Sequence, residues 1–255
     1  MKNDIYWQVD GIGNDIVFLH GWGMNGAVWE SMTEMLKTDF RVHVIDLPGY
    51  GNSANTPAIS FDELIEKVLL NAPKNAIWVG WSLGGLVASK IALDYPEYVC
   101  KLVTVASSPK FAASSDWRGI QPTVLTDFTA QLTENFQLTI ERFMALQAMG
   151  SPTARNDVKQ LKSAVLSRPQ PHPDALLAGL AMLENIDLRE SLSGLTVPML
   201  RMYGRLDGLV PVKVAKVLDN LWPESQSVTF SQSSHAPFIT EANEFREELI
   251  RFSNQ

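Results

Sequence analysis

The chain has 255 residues, 45% of them hydrophobic and 19% charged, the composition of an ordinary globular protein with a substantial core. Its 21 basic and 28 acidic residues give a formal charge of −7, which repels phosphate backbones and anionic lipid; no basic run or glycine-rich phosphate loop offsets this, so no nucleic-acid partner is expected. A lone cysteine, Cys100, excludes an internal disulfide framework, and no stretch approaches the roughly 18–20 apolar residues of a membrane span.

Short apolar runs alternate with longer helical patterns, which predicts an α/β fold, a mostly parallel sheet flanked by crossover helices. Residues 1–9 are a candidate antiparallel edge strand. The first 15 residues hold no apolar core of the kind a signal peptide needs, so a cytoplasmic location is expected. Residues 16–20 (IVFLH) and 42–46 (VHVID) read as buried strands. A helix is predicted over 60–71, where Ser60 and Glu63 make a capping-box pattern. Strand 76–81 (AIWVGW) runs straight into helix 83–95, which stops before Pro96. Strand 102–107 (LVTVAS) follows, with Cys100 just ahead of it as a buried or half-buried structural thiol. From 110 to 188 the alternation stops, leaving helical patterns and no convincing strand. This predicts a core of residues 1–109 and 189–255, with 110–188 inserted as a helical cap over the carboxyl ends of the strands, where open α/β sheets bind ligands. Strands 198–204 and 227–230 and helices 211–221 and 244–252 complete the core.

Gly80-Trp81-Ser82-Leu83-Gly84 fits G-x-S-x-G, and it lies between a predicted strand and a predicted helix, the context that motif requires. Glycines two residues either side leave room for neighbouring backbone, so the Ser82 hydroxyl is lifted clear of the sheet as a nucleophile. Of the four histidines, His43 lies within a strand and His172 lies between two prolines in a loop. His20 reads as an organiser of its loop. His235, in the loop between the last strand and the last helix, is the candidate base. Asp207 in YGRLDGLVP follows a strand and precedes His235, giving the order Ser, Asp, His. The competing Asp219 falls mid-helix, where a solvated face is the simpler reading. The backbone N–H groups of Trp22, in His20-Gly21-Trp22-Gly23, and of Leu83 are the expected oxyanion donors. A serine at 82 disfavours the aspartate-nucleophile chemistry of dehalogenases and epoxide hydrolases. No metal or cofactor motif is present, so none is expected.

In the cap, Phe136, Ile140, Phe143 and Gln147 fall on one helical stripe. Such a stripe is usually core; facing the site it would line an acyl tunnel, with Phe143 and Met144 as walls and Gln147 as a polar contact. Arg155, Lys159 and Lys162 share one face of the next helix, opposite Ala154, Val158, Leu161 and Val165. From 138 to 170 five basic residues (Arg142, Arg155, Lys159, Lys162, Arg168) face two acidic ones (Glu141, Asp157), a local +3 on a negative protein. This is either a solvated helix face or a docking surface for an acidic partner.

The segments HGWGMNGAVW, DLPGYGNS, WVGWSLGGLVAS, VTVASSP, ERFMALQ, YGRLDGLVP and SSHAPFI together resemble the pimeloyl-[acyl-carrier protein] methyl ester esterases of the biotin pathway, serine hydrolases of the α/β-hydrolase fold. The similarity runs from Trp7 to the final helix. It implies hydrolysis of a methyl ester on carrier-bound pimeloyl, with Ser82, Asp207 and His235 as triad. It implies substrate contacts at Trp22, Ser82, Leu83, His235 and over 143–147 (Phe143, Met144, Ala145, Leu146, Gln147). It also implies docking of the acidic acyl carrier protein at Arg142 and Arg155, beside Lys159 and Lys162. Lys159 stands where the family can carry arginine, and Leu138 where it can carry a basic residue. No membrane partner is expected, and a monomer is. The alternatives are a general short-chain carboxylesterase or carbon–carbon hydrolase acting on free small molecules, and a ligand receptor that has no need of a triad.

Overall fold

Strands covered by helices on both faces have no polar side to present, and β4 (Ala76–Trp81) is accordingly buried at all six positions. The computed structural model describes residues 5–255, apart from the side chains of residues 133, 136 and 137. Residues 1–4 of the expected edge strand and the Phe136 side chain therefore lie outside the described residues. Around β4 the described strands β1 (Trp7–Gly11), β2 (Asn14–Leu19), β3 (Phe40–Ile45), β5 (Val99–Val105), β6 (Met199–Gly204) and β7 (Gln226–Phe230) form one sheet. Its order is β1-β3-β2-β4-β5-β6-β7. Only β1 runs antiparallel, pairing Trp7 with Ile45 and Gly11 with Arg41. The edge strand thus lies a few residues later than the pattern at 1–9 suggested. Its alternation of half-buried and exposed residues is weak, as one-sided burial at a sheet edge produces.

The chain places β3 on one side of β2 and β4 on the other. This reversal opens a crevice outside the carboxyl ends of β2 and β4, where ligands bind in open α/β sheets. His20 directly follows β2 and Ser82 directly follows β4.

Helices α1 (Glu30–Leu36), α2 (Phe61–Leu69) and α3 (Leu83–Asp94) connect the first strands. The Ser60 side chain accepts from the Glu63 N–H at 3.2 Å, so the predicted cap forms. Between β5 and β6 come α4 (Pro122–Glu134), α5 (Phe136–Ala148), α6 (Ala154–Leu166) and α7 (Pro173–Asn185). The two ends of this insertion meet: Lys110 and Asp187 form an isolated antiparallel bridge, and the Leu188 N–H donates to the Pro109 carbonyl at 2.9 Å. After β6, α8 (Lys213–Leu221), α9 (Pro237–Thr240) and α10 (Ala242–Ser253) finish the chain. Helices α1 and α9 are additions to the predicted set, both shorter than the 11–18-residue window in which helical periodicity registers.

Asp219 is exposed, as its place in α8 suggested, but it is also an ion-pair partner. Its Oδ1 accepts from Arg201 Nη2 and from the Ser227 hydroxyl, each at 2.8 Å. Arg201 lies on β6 and is fully buried, so its charge requires this partner. Cys100 is half-buried, and burial pushes its thiol pKa up. Among the described residues no helix is long and apolar enough to cross a membrane.

Candidate active site

Ser82 sits between β4 and α3 with φ 54° and ψ −118°, a left-handed conformation that costs a non-glycine residue on the order of 1–3 kcal/mol. The surroundings hold it there. Its N–H donates to the Val105 carbonyl at 2.9 Å, and its carbonyl accepts from the Ser107 hydroxyl at 2.8 Å. The flanking glycines are steric necessities: a Cβ on Gly80 would lie 2.2 Å from the Gly84 carbonyl oxygen, and one on Gly84 2.6 Å from that of Leu19. The elbow therefore brings α3 against β2 and β4 and presents the hydroxyl at the crevice.

The three residues that the motifs singled out converge from three loops. His235 Nε2 lies 2.9 Å from Ser82 Oγ, and His235 Nδ1 lies 2.7 Å from Asp207 Oδ2. The other Asp207 oxygen accepts from the backbone N–H groups of Leu209 (2.8 Å) and Val210 (3.0 Å), which fixes the carboxylate's aim. Exposure is slight throughout: 4% for Ser82, 6% for Asp207 and 1% for His235. Two anchors of the histidine were absent from the sequence reading. Trp81 Nε1 donates to the His235 carbonyl at 2.7 Å, and the His235 N–H donates to the Gln147 carbonyl at 3.0 Å. The latter is one of the last carbonyls of α5, which no helical N–H can satisfy. No side-chain pattern signals a contact made by backbone.

The loop after β2 closes the site from the other side. A Cβ on Gly21 would come within 3.2 Å of the Ser82 Cβ. The Leu83 N–H, first in α3, has no acceptor within its helix. The Trp22 N–H donates to no protein acceptor among the described residues. The Trp22 indole is wedged into the cap, donating to the Leu176 carbonyl at 2.8 Å and meeting Phe143 edge-on at 4.8 Å. His20 organises this loop as expected: Nδ1 faces the Gly21 carbonyl at 2.8 Å, and Nε2 accepts from the Leu47 N–H at 2.9 Å. Nε2 must stay unprotonated for that contact, and burial pushes the imidazole pKa down to about 4. His43 is a packed strand residue, held between Trp7 Nε1 (2.9 Å) and Asp15 (2.6 Å). His172 caps α7, its Nδ1 accepting from the Asp174 N–H at 3.2 Å.

The cap residues divide by face. Phe143, Met144 and Gln147 are buried, Leu146 is half-buried, and Ala145 is exposed on the outside of α5. Met144 lines a groove with Ile140, Val165 and Leu166 between α5 and α6. Gln147 Oε1 is buried without a hydrogen-bond donor among the described residues. Arg142, Arg155, Lys159 and Lys162 are all exposed, Arg142 bonding to Gln131 (2.9 Å) and Lys162 pairing with Glu141 (2.8 Å). Two members of the counted charge cluster do not belong to that surface. Arg168 turns inward to Asp46, with Nη1 2.6 Å from Oδ1. Asp157 is buried and accepts from the hydroxyls of Ser151 (2.7 Å), Thr153 (2.9 Å) and Thr240 (3.1 Å). Counting charges along a sequence cannot separate those that find partners inside from those that meet water.

Residues 15–242 match the family model described as alpha/beta hydrolase fold. Among solved structures, an esterase from Exiguobacterium antarcticum aligns with a TM-score of 0.86 over 98% of this chain and 96% of its own, at 23% identity, which speaks to the fold alone. Two curated proteins named pimeloyl-[acyl-carrier protein] methyl ester esterase are far nearer. The one from Vibrio cholerae is 64% identical over 255 residues and the one from Vibrio atlanticus 63% identical over 258 residues. Each covers 100% of both chains. On identity of that order along its whole length, this chain belongs to the esterase family of those two proteins, within the α/β-hydrolase fold.

Proposed function

We propose that this protein hydrolyses the methyl ester of pimeloyl-[acyl-carrier protein] in biotin synthesis, with Ser82 as nucleophile, His235 as general base and Asp207 as its orienting acid. The observation that carries the reading is the unbroken path Asp207 Oδ2, His235 Nδ1, His235 Nε2, Ser82 Oγ, with steps of 2.7 and 2.9 Å across the ring. Asp207 holds the proton on Nδ1, which leaves Nε2 free to accept. Ser82 Oγ attacks the ester carbonyl as its proton passes to Nε2. The oxyanion that forms rests on the N–H groups of Trp22 and Leu83, each worth roughly 3–4 kcal/mol to the transition state. His235 returns the proton to the departing oxygen, releasing methanol and leaving pimeloyl esterified to Ser82. Water, deprotonated by the same nitrogen, then cleaves that acyl-enzyme and frees Ser82.

The buried site suits a slender acyl chain. Trp22 and Phe143 wall it, and the buried Gln147 side chain is the polar contact beside them. Residues 110–188 act as the lid, and their basic outer face (Arg142, Arg155, Lys159, Lys162) steers the acidic carrier toward it. The names and full-length identity of the relatives support this substrate over free small esters. The deciding measurement is methanol release from the carrier-bound methyl ester beside free monomethyl pimelate at equal concentration. A strong preference for the carrier-bound form is expected. Equal rates would leave a serine esterase of small molecules.

A further inference from the structure

The charge that the cap sends inward has a place in this chemistry. Asp46 directly follows β3 and is fully buried. Its Oδ1 accepts from the Gly26 N–H at 2.6 Å, and its Oδ2 from the Asn52 N–H at 2.7 Å. The next residue, Leu47, donates its N–H to His20 Nε2 at 2.9 Å. Two consecutive residues just after β3 thus grip the loop carrying Trp22 at both of its ends, His20 and Gly26. The cation that neutralises Asp46 comes from the cap, two residues beyond α6: Arg168 Nη1 stands 2.6 Å from Oδ1. Packing there is close, since a Cβ on Gly26 would lie 3.0 Å from the same guanidinium nitrogen. The Arg168 guanidinium also covers the Tyr6 ring at 5.0 Å, and its side chain is 8% exposed. A second strand of the same tie runs alongside, from Asn25 Nδ2 to the Val165 carbonyl at 3.2 Å.

We propose that Arg168 is a positioning residue for the oxyanion loop: through Asp46 it holds the 20–26 segment so that the Trp22 N–H faces the nucleophile. The physical case is one of balance. A fully buried carboxylate without a cation is costly enough to draw in water or to move. Either response releases Gly26, and with it the loop that carries Trp22. Oxyanion donors work only when aimed beforehand at the place where charge develops, so a small drift of this loop costs turnover with little effect on substrate binding. The lid and the hole are then one device, because a lid lifted at the end of α6 takes the counter-ion of Asp46 with it.

This inference rests on the Trp22 N–H being an oxyanion donor, and the test separates the two. Turnover of p-nitrophenyl butyrate and inhibition by an alkyl trifluoromethyl ketone, whose adduct with a serine bears an oxyanion, would be compared with a methyl ketone of equal length. Arg168→Gln is expected to lower kcat roughly 10- to 100-fold with KM nearly unchanged, and to weaken the trifluoromethyl ketone by the same factor. Arg168→Lys, which keeps a cation, should recover most of both. Should Arg168→Gln fail to fold, Asp46→Asn with Arg168→Gln leaves no unpaired charge but still lacks the ion pair that ties cap to loop, and the same losses of kcat and ketone affinity are expected of it. Folded Arg168→Gln, or the double variant in its place, with wild-type kcat, or with kcat lost and ketone affinity intact, overturns the role of Arg168. If the wild-type protein binds the trifluoromethyl ketone no better than the methyl ketone, the oxyanion hole itself is misassigned and the proposal falls with it.

Discussion

The carboxyl edge of the sheet and the cap above it hold their functional side chains by different means. At the edge, mostly backbone does the holding: the Val105 carbonyl and the Ser107 hydroxyl fix the Ser82 peptide, while the Leu209 and Val210 N–H groups fix Asp207. The cap is joined to the core by buried apolar packing and by polar contacts over long sequence distances, Arg168 to Asp46 and Asp157 to Thr240 among them. The first arrangement is local, made in the loops that leave the strand ends. The second depends on contacts between segments far apart in the chain.

The sharpest break between the two regions is a change at the edge that abolishes chemistry and leaves the cap alone. Ser82→Ala should lower kcat on the order of 10⁴–10⁶-fold, as removal of a triad nucleophile does elsewhere. Substitution of the cap's outer residues should come nowhere near that. Turnover of any methyl ester by pure Ser82→Ala at even a hundredth of the wild-type rate would remove Ser82 from the nucleophile's role.

This division also explains what the sequence could reveal. Gly80, Ser82 and Gly84 are close neighbours in the chain, and the elbow's steric demands are written in those few letters. Asp207 and His235 were legible from their order and from the strands before them. The strands of the sheet were legible because burial on both faces leaves continuous apolar runs. Contacts across the molecule were not. Arg168 meets Asp46 at a separation of 122 residues, and nothing in the sequence around Arg168 distinguishes it from the solvated Lys162. The partner of the exposed Asp219 was equally hidden, since the need of a buried Arg201 for a carboxylate appears only once β6 is laid beside α8.

His20 sharpens the comparison through pH. Its imidazole is neutral in the fold, with a pKa lowered from 6.5 to about 4, chiefly by burial. The nearby Asp46 raises that pKa and Arg168 lowers it, neither outweighing burial. Between these two values the unfolded chain binds a proton that the folded one does not. The sign is therefore fixed: this contribution is complete above about pH 6.5 and is lost as pH falls toward 4, amounting to about 3 kcal/mol. Denaturant unfolding at pH 7 and pH 4.5 should show most of that loss in the wild type and a distinctly shallower acid dependence in His20→Asn. Identical slopes in the two proteins would mean that His20 is not held neutral by the fold.

The smallest effect expected concerns the outer face of the cap. Arg142 and Arg155 are exposed, and exposed charges contribute little to stability, so reversing them should leave the melting temperature nearly unchanged. Their worth lies in association: like charges facing an acidic carrier slow encounter and weaken it, by roughly 10- to 100-fold at low salt. Arg142→Glu with Arg155→Glu should therefore raise KM for the carrier-bound ester by about that factor while p-nitrophenyl butyrate turnover stays at the wild-type rate, and the difference should shrink as salt is added. Equal loss on both substrates would place these arginines in the folding of the cap. No loss on either would leave the basic face a solvated surface and return the carrier's docking site to some other part of the molecule.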